Sequence, residues 1–226
     1  MAYKHGVYTS EVPTSVVPAV NTAAGLPVVF GTAPVHLASE RAQSNKPILC
    51  YSYAEAVQQL GYSKDWAKYT LCEVMYSQFA LYNRGPVVFV NVLDPQTHKK
   101  STSSKNVTVT NKVAKVDAPV LLDTLQIKAS TAGSALIAGS DYEAAYDDDG
   151  VLVITLLDDG TATAASNLTL TYDEIDAAAV DADDIIGGIN VSDGSVKGLE
   201  CLNKVFPITG LVPGIVLAPG WRELRL

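Results

Sequence analysis

Long apolar runs are missing from this chain, although 48% of its 226 residues are hydrophobic. No run reaches the roughly 18 consecutive residues that a membrane-spanning helix requires. We therefore expect no direct membrane insertion. The apolar residues are instead expected to form a core or contacts with other chains.

Cysteine is scarce and widely spaced. The three cysteines, Cys50, Cys72 and Cys201, fit neither a disulfide framework nor a CxxC metal site. We interpret them as reduced, mostly buried thiols of a protein that folds in a cytoplasm. Cys72 lies in a predicted helix without an evident histidine partner, so a core thiol is favoured over a nucleophile.

Catalytic and cofactor-binding motifs are also absent from the sequence. It contains no GxSxG elbow, no GxxxxGKS/T loop and no GxGxxG fingerprint. The three histidines, His5, His36 and His98, form no helical i, i+4 pair, which excludes an HExxH zinc site. We interpret each as a plain surface or loop residue. The sequence therefore predicts no catalytic residue, no cofactor and no metal ligand.

Basic residues are outnumbered, with 16 Lys and Arg against 24 Asp and Glu and a net charge of -8. Binding to phosphates needs a basic face, so we expect no nucleic-acid partner. Neither Lys nor Arg occurs between Lys128 and Lys197, which predicts a solvated acidic surface. The acidic run 147–150 lacks the spacing of a calcium-binding loop, so we interpret it as a hairpin turn.

Residues 26–96 show the signals of the first part of an α/β core domain. Apolar runs at 26–30 and 86–93 predict buried strands. Between them, Ser52 and Glu55 form a capping-box pattern before a helix that Gly61 stops. A second helix is predicted from about Trp66 to Tyr82, where apolar residues recur at helical spacing. This order is typical of a βαβ-type crossover.

Residues 97–190 differ from residues 26–96 in composition and in hydrophobic pattern. A polar segment, 97–106, is expected to be a linker, and short alternating runs follow it. Strands are predicted at residues 107–110, 120–127, 151–157 and 168–172. Acidic stretches near Tyr172 and from 181 to 184 are expected to cap or solvate a short helix. We interpret 97–190 as an acidic, antiparallel all-β domain, sandwich- or barrel-like, inserted in the core domain.

Residues 191–226 return to the α/β pattern, with a short helix expected at 196–205 and an apolar strand at 212–217. This half has few strands for its apolar content, so we expect an α/β core that is incomplete in this chain. The fold class expected is thus α+β or α/β, with the inserted β domain.

Residues 1–25 are expected to form an extended N-terminal arm and a Pro-punctuated linker ahead of the first buried strand. An extended arm in that position suggests main-chain pairing with something outside the domain. That points to an assembly subunit before it points to an enzyme.

Five segments in order now carry a resemblance: HGVYTSEVPTSVVP (5–18), GLPVVFGTAPV (25–35), SYAEAVQQLG (52–61), NRGPVVFVNVLDP (83–95) and GLECLNKVFPITGLVPGIVLAPGW (198–221). The chain resembles the tail sheath proteins of contractile-tailed bacteriophages, prophages and tailocins. The resemblance covers about residues 2–95 and 198–221. The acidic β segment matches only in position, because the family has variable insertions there.

The resemblance implies a structural role without catalysis. Such subunits polymerise around a rigid tail tube, above a baseplate and below a tail terminator, and contract to drive the tube through the host envelope. It implies a virion location after synthesis in the host bacterial cytoplasm. Extended arms tie neighbouring subunits by adding strands to their sheets, and the inserted domain would face outward. The predicted contact residues of the arm are Tyr3, His5, Val7, Tyr8, Glu11 and Val12.

The end of the chain departs from the family pattern. Family members usually continue past the APGW segment, and here RELRL (222–226) follows in place of that continuation. The resemblance therefore implies a chain that is truncated C-terminally, so that a tube-facing element and a C-terminal arm have no counterpart to assign.

Two other functions stay open from the sequence. The inserted β domain is also compatible with a carbohydrate- or surface-binding module that serves adhesion. A hydrolase is the third possibility, and it is disfavoured because no nucleophile–base pair is visible.

Overall fold

The computed structural model describes residues 25–130 and 133–221. It shows a mixed α/β protein, which confirms the expected fold class. The strands are β1 (Pro27–Gly31), β2 (Ile48–Cys50), β3 (Val87–Asn91), β4 (Lys99–Thr108), β5 (Val113–Val116), β6 (Gln126–Lys128), β7 (Tyr142–Tyr146), β8 (Leu152–Leu156), β9 (Asn167–Ile175), β10 (Gly188–Ile189), β11 (Val196–Lys197) and β12 (Ile215–Leu217). The α-helices are α1 (Tyr53–Leu60), α2 (Thr70–Met75), α3 (Ala182–Ile186) and α4 (Val205–Thr209).

One four-stranded sheet has the order β12-β1-β3-β2 and is called here the core sheet. Strands β12, β1 and β3 are parallel, and β2 pairs antiparallel with β3 at one edge. Both faces are covered, because Val29 and Phe89 pack with the α1 and α2 side while Val28 and Phe30 pack with Cys201 and Val205. Burial on both faces explains why β1 and β3 are continuous apolar runs.

Asn91 joins the ends of β1 and β3. Its side chain is fully buried, and its Oδ1 accepts hydrogen bonds from the backbone N–H groups of Ala33 and Leu93, each at 3.1 Å. Its Nδ2 donates to the Leu93 carbonyl at 3.0 Å. One amide thus satisfies three main-chain groups where both strands leave the sheet.

The predicted start of α1 is confirmed, with one difference in its cap. The Ser52 side chain accepts from the Glu55 N–H, as a capping box requires. The Glu55 carboxylate reaches back one residue further than expected, to the Tyr51 N–H at 2.6 Å. Gly61 ends the helix with a φ of 72°, a left-handed conformation that glycine adopts without strain.

The second helix was predicted too long at its start. It begins at Thr70 rather than Trp66, because the end of β1 caps it: Thr32 Oγ1 accepts from the Thr70 N–H and the Thr32 carbonyl accepts from the Leu71 N–H. After Met75 the helix widens into a π-helical segment, Tyr76–Leu81. Spacing of apolar residues does not distinguish that segment from an α-helix.

The antiparallel part contains two three-stranded sheets, β4-β9-β6 and β5-β8-β7, which share one apolar core. The predicted strands at 151–157 and 168–172 are confirmed as β8 and β9. The predicted strand at 120–127 is wrong over most of its length, since a 3-10 turn, Leu122–Thr124, precedes the short β6. Strands β2, β5 and β7 were not predicted. The short helix expected at the acidic stretch 181–184 is confirmed as α3, which Asp181 caps.

The segment expected to be a polar linker is mostly a strand. Residues 99–108 form β4, the longest strand described, and it pairs with β9. As an edge strand with solvent on its outer side, β4 needs no apolar pattern. The Lys99 ammonium bonds the Asp173 carboxylate of β9 at 2.6 Å, which gives the polar side chains a role in the pairing.

The return segment also differs from the expected short helix. Residues 196–205 form β11, a 3-10 segment, Gly198–Lys204, and the first residue of α4. The boundaries predicted for an inserted domain stay predictions. Leu121 and Ile175, from the antiparallel part, pack in the same apolar cluster as the α1 side of the core sheet.

We expect Asn91→Ala to lower the free energy of unfolding by about 3 kcal/mol, because it leaves the N–H groups of Ala33 and Leu93 buried without partners. The Leu93 carbonyl loses one of its two hydrogen bonds and keeps the one from the Ser44 hydroxyl. Urea unfolding measures the change. Asn203→Ala removes an exposed amide and serves as the matched control, with an expected change of at most about 0.5 kcal/mol. Equal losses from the two variants would contradict the proposed role of Asn91.

Candidate assembly surface

The two edges of the core sheet are different. At one edge, Pro47 precedes β2, and the Ile48 and Cys50 side chains are buried. At the other edge, β12 is a strand of three apolar residues, Ile215, Val216 and Leu217, which are 47%, 45% and 39% exposed. No described strand pairs with the outer side of β12. This edge is called here the open edge.

The main chain of β12 has pairing capacity left at the open edge. Pro27, Val28 and Val29 of β1 stand opposite its three residues, and the Ile215 N–H donates to the Leu26 carbonyl at 3.2 Å. In a parallel ladder successive residues direct their N–H and C=O groups to alternate sides. Val216 therefore presents one donor and one acceptor to the outer side.

The segment around β12 is rich in exposed apolar side chains. Six of the fourteen large apolar residues found exposed in the described part of the chain lie between positions 206 and 217. Besides the three residues of β12 they are Phe206, Ile208 and Val212. Concentrations of exposed apolar residues of this kind mark interaction sites in soluble proteins.

The outer edge of β4, in contrast, has the features that prevent strand addition. It bears Lys99, Lys100 and Lys105, and its register shifts between Thr102 and Lys105. Within that irregularity Ser104 has a φ of 54°. Lysines and bulges on edge strands oppose pairing with another chain. The uncharged open edge of β12 is the better acceptor of the two.

The residues predicted to form the contact arm, Tyr3, His5, Val7, Tyr8, Glu11 and Val12, lie outside the described residues. The structure therefore does not place them against the open edge, and their role stays a prediction. The sequence did predict an apolar strand at 212–217. It gave no signal that this strand is exposed at an edge, because buried and exposed apolar strands have the same pattern.

The histidines were interpreted as surface or loop residues. His36 and His98 do lie in a turn and a loop, outside strands and α-helices, but neither side chain is on the surface. His36 is buried, and burial lowers its pKa to about 3 with a contribution from the Arg41 charge. His98 is largely buried, its Nδ1 accepts from the Asp94 N–H at 3.0 Å, and its Nε2 lies 3.2 Å from an Asp184 oxygen. The apolar neighbours Val35 and Leu37 were a local signal for the burial of His36, whereas the polar sequence around His98 carried no such signal.

The three cysteines are buried and unpaired, as predicted. Burial is the main cause that raises the pKa of Cys50 and of Cys72 to about 12. Both thiols therefore stay protonated at neutral pH, which makes them poor nucleophiles.

The acidic stretches are structural where the structure describes them. Asp147 Oδ1 accepts from the N–H groups of Asp149 and Val151, which closes the predicted hairpin turn between β7 and β8. Asp181 caps α3 in a reciprocal capping box with Asp184. Within residues 25–130 and 133–221, no three His, Cys, Asp or Glu side chains are grouped to hold a metal ion. No helix in these same ranges is long and apolar enough to cross a bilayer.

The chain is 30% identical over 225 residues to the tail sheath protein of Burkholderia phage BcepMu. The match includes 97% of this chain and 43% of that protein, so the chain spans less than half the length of this curated relative. No protein-family model matches the sequence. No solved structure matches it significantly. The match to the phage protein confirms the resemblance that the five segments indicated.

A lysine at Val216 should weaken self-association without unfolding the chain, because a charge on an edge strand opposes pairing. Sedimentation velocity over a concentration series should show a dissociation constant at least about tenfold higher for Val216→Lys. Ile137→Lys places the same charge on an exposed apolar residue far from β12 in the sequence, and should leave association unchanged. Equal association by the two variants would exclude the open edge as the contact.

Proposed function

We propose, on the premise that this chain is a homologue of a phage tail sheath protein, that it is a structural subunit of a contractile tail sheath. In this role the chain assembles with copies of itself around a tail tube and catalyses no reaction. The observation that supports this most is the open edge of the core sheet, where an uncharged strand retains unpaired main-chain groups.

The arm, residues 3–12, is the proposed occupant of a neighbour's open edge. It contains Tyr3, Val7, Tyr8 and Val12, residue types that favour extended backbone, and it precedes the first proline of the linker. A strand added from another subunit would use the Val216 N–H and C=O and would cover part of the exposed apolar side chains nearby.

Main-chain pairing suits a sheath that changes length. Hydrogen bonds of an added strand belong to the arm and its acceptor edge, so they persist while the linker between arm and core bends. Subunits can rotate by large angles without losing their neighbours. The proposed partners beyond sheath subunits are the tube protein, the baseplate and the tail terminator, and the proposed location is the virion tail.

Deletion of residues 1–12 should leave the fold intact and abolish concentration-dependent association. Circular dichroism and thermal unfolding check the fold, and sedimentation velocity checks association. A chain that lacks the arm and still associates like the intact chain would reject the arm as the link between subunits.

The acceptor is tested separately with a peptide of residues 1–16 and the chain that lacks these residues. Fluorescence anisotropy should show that the peptide binds. Val216→Pro should abolish binding, because proline removes the outward N–H of residue 216 and breaks no hydrogen bond within the chain. Val191→Pro, in an exposed loop, is the matched control and should bind normally. Binding unaffected by Val216→Pro would assign the arm to another surface.

A further inference from the structure

His36 lies where the core sheet part and the antiparallel part meet. It belongs to the 3-10 turn Val35–Leu37, just after β1, and it is 8% exposed. Its ring centroid is 6.0 Å from that of Tyr69, which precedes α2, and 5.4 Å from that of Tyr146, the last residue of β7. The imidazole is thus a contact shared by both parts of the molecule.

One nitrogen of the imidazole, Nδ1, is buried without compensation. This atom is inaccessible to solvent and has no hydrogen-bond partner among the described residues. No described carboxylate lies within ion-pair distance of the ring, so a charge on it would find no counter-ion. A neutral ring tolerates such a position, whereas an imidazolium there is strongly disfavoured.

Charged and titratable side chains surround His36 on both the core sheet part and the antiparallel part. Arg41, five residues further along the chain, donates its Nε–H to the Val35 carbonyl. Tyr69 and Tyr146 lie next to the His36 ring. The cleft beside the ring is also lined by charged side chains from both parts, Asp65, Lys68, Asp117, Asp149 and Asp176. Of these, Asp65 pairs with Lys68 at 3.1 Å, and Asp176 accepts from the Ala178 N–H.

We propose that His36 is a pH-sensitive latch, which holds the antiparallel part against the core sheet part while its ring is neutral and releases it when the ring gains a proton. Few other polar contacts cross at this point: the described one nearest in sequence is the pair between Arg41 and Asp123, at 3.7 Å. Leu37 also packs beside Gly150, in the turn between β7 and β8. This property belongs to the chain itself and does not depend on the proposed assembly.

The sign of the effect follows from where the proton binds. Burial and the Arg41 charge lower the pKa of docked His36 to about 3, and the released ring regains the ordinary value of 6.5. The latch is therefore fully closed above pH 6.5 and weakens as the pH falls toward 3. Between pH 7.5 and pH 5 the equilibrium constant for release should rise about 30-fold.

Hydrogen–deuterium exchange at pH 7.5 and pH 5, corrected for intrinsic rates, tests the latch in the intact chain. Exchange should increase at the contact segments 35–37, 117–121 and 146–150, while β3 and β8 stay protected. His36→Phe keeps an aromatic ring that cannot titrate, and it should remove the increase. Unchanged exchange in the unmodified chain, or an increase that persists in His36→Phe, would overturn the proposal.

The other described histidine, His98, provides the control. His98→Gln should retain the increase at pH 5, since the proposed switch is His36; an increase lost only in His98→Gln would refute it. Should His36→Phe fail to fold, NMR of the unmodified chain decides. A His36 resonance that titrates near 6.5 while the contact segments stay protected would also refute the latch.

Discussion

Unpaired main-chain groups at the edge of a sheet are the constraint on which the functional account depends. Each buried N–H and C=O needs a partner, and a strand at an edge satisfies only half of its own. In the core sheet the inner strands β1 and β3 are paired on both sides, whereas β12 is paired only with β1. Its residues carry no charge that would prevent another strand from joining.

The sheet edges differ in how well they resist pairing with another strand, and this difference singles out the open edge as a contact surface. Strand β4 is longer than β12 and just as accessible, yet it bears three lysines and a bulge. Strand β2 follows Pro47 and turns buried side chains toward the core. Among the three edges compared, only β12 has neither a charge nor a proline or bulge that opposes pairing, which is what a contact by strand addition requires.

The parts of the fold that follow from local chemistry could be predicted. Apolar β-branched runs predicted β1 and β3, and Ser52 with Glu55 predicted the start of α1. These signals depend only on neighbouring residues in the sequence. Strand β4 could not be predicted, since an edge strand with polar side chains has the composition of a linker. The burial of His36 depends on Tyr69 and Tyr146, which are 33 and 110 residues away in sequence.

For the candidate surface, the sequence predicted an arm and an apolar strand at 212–217. The structure places that strand at an edge of the core sheet, and the arm stays a prediction. Position in a sheet depends on strand order, which is set by the pairing of distant segments such as Pro27 with Ile215. The similarity to a phage tail sheath protein is what supports the proposal of an assembly that uses this edge.

The Val216 amide gives the most direct test of strand addition at the open edge. In the dilute single chain its N–H faces solvent, and hydrogen exchange should be fast. In assembled particles it should exchange at least about 100-fold more slowly, while the outer edge of β4 stays unprotected. A Val216 amide that exchanges as fast in the particle as in the single chain would contradict the account.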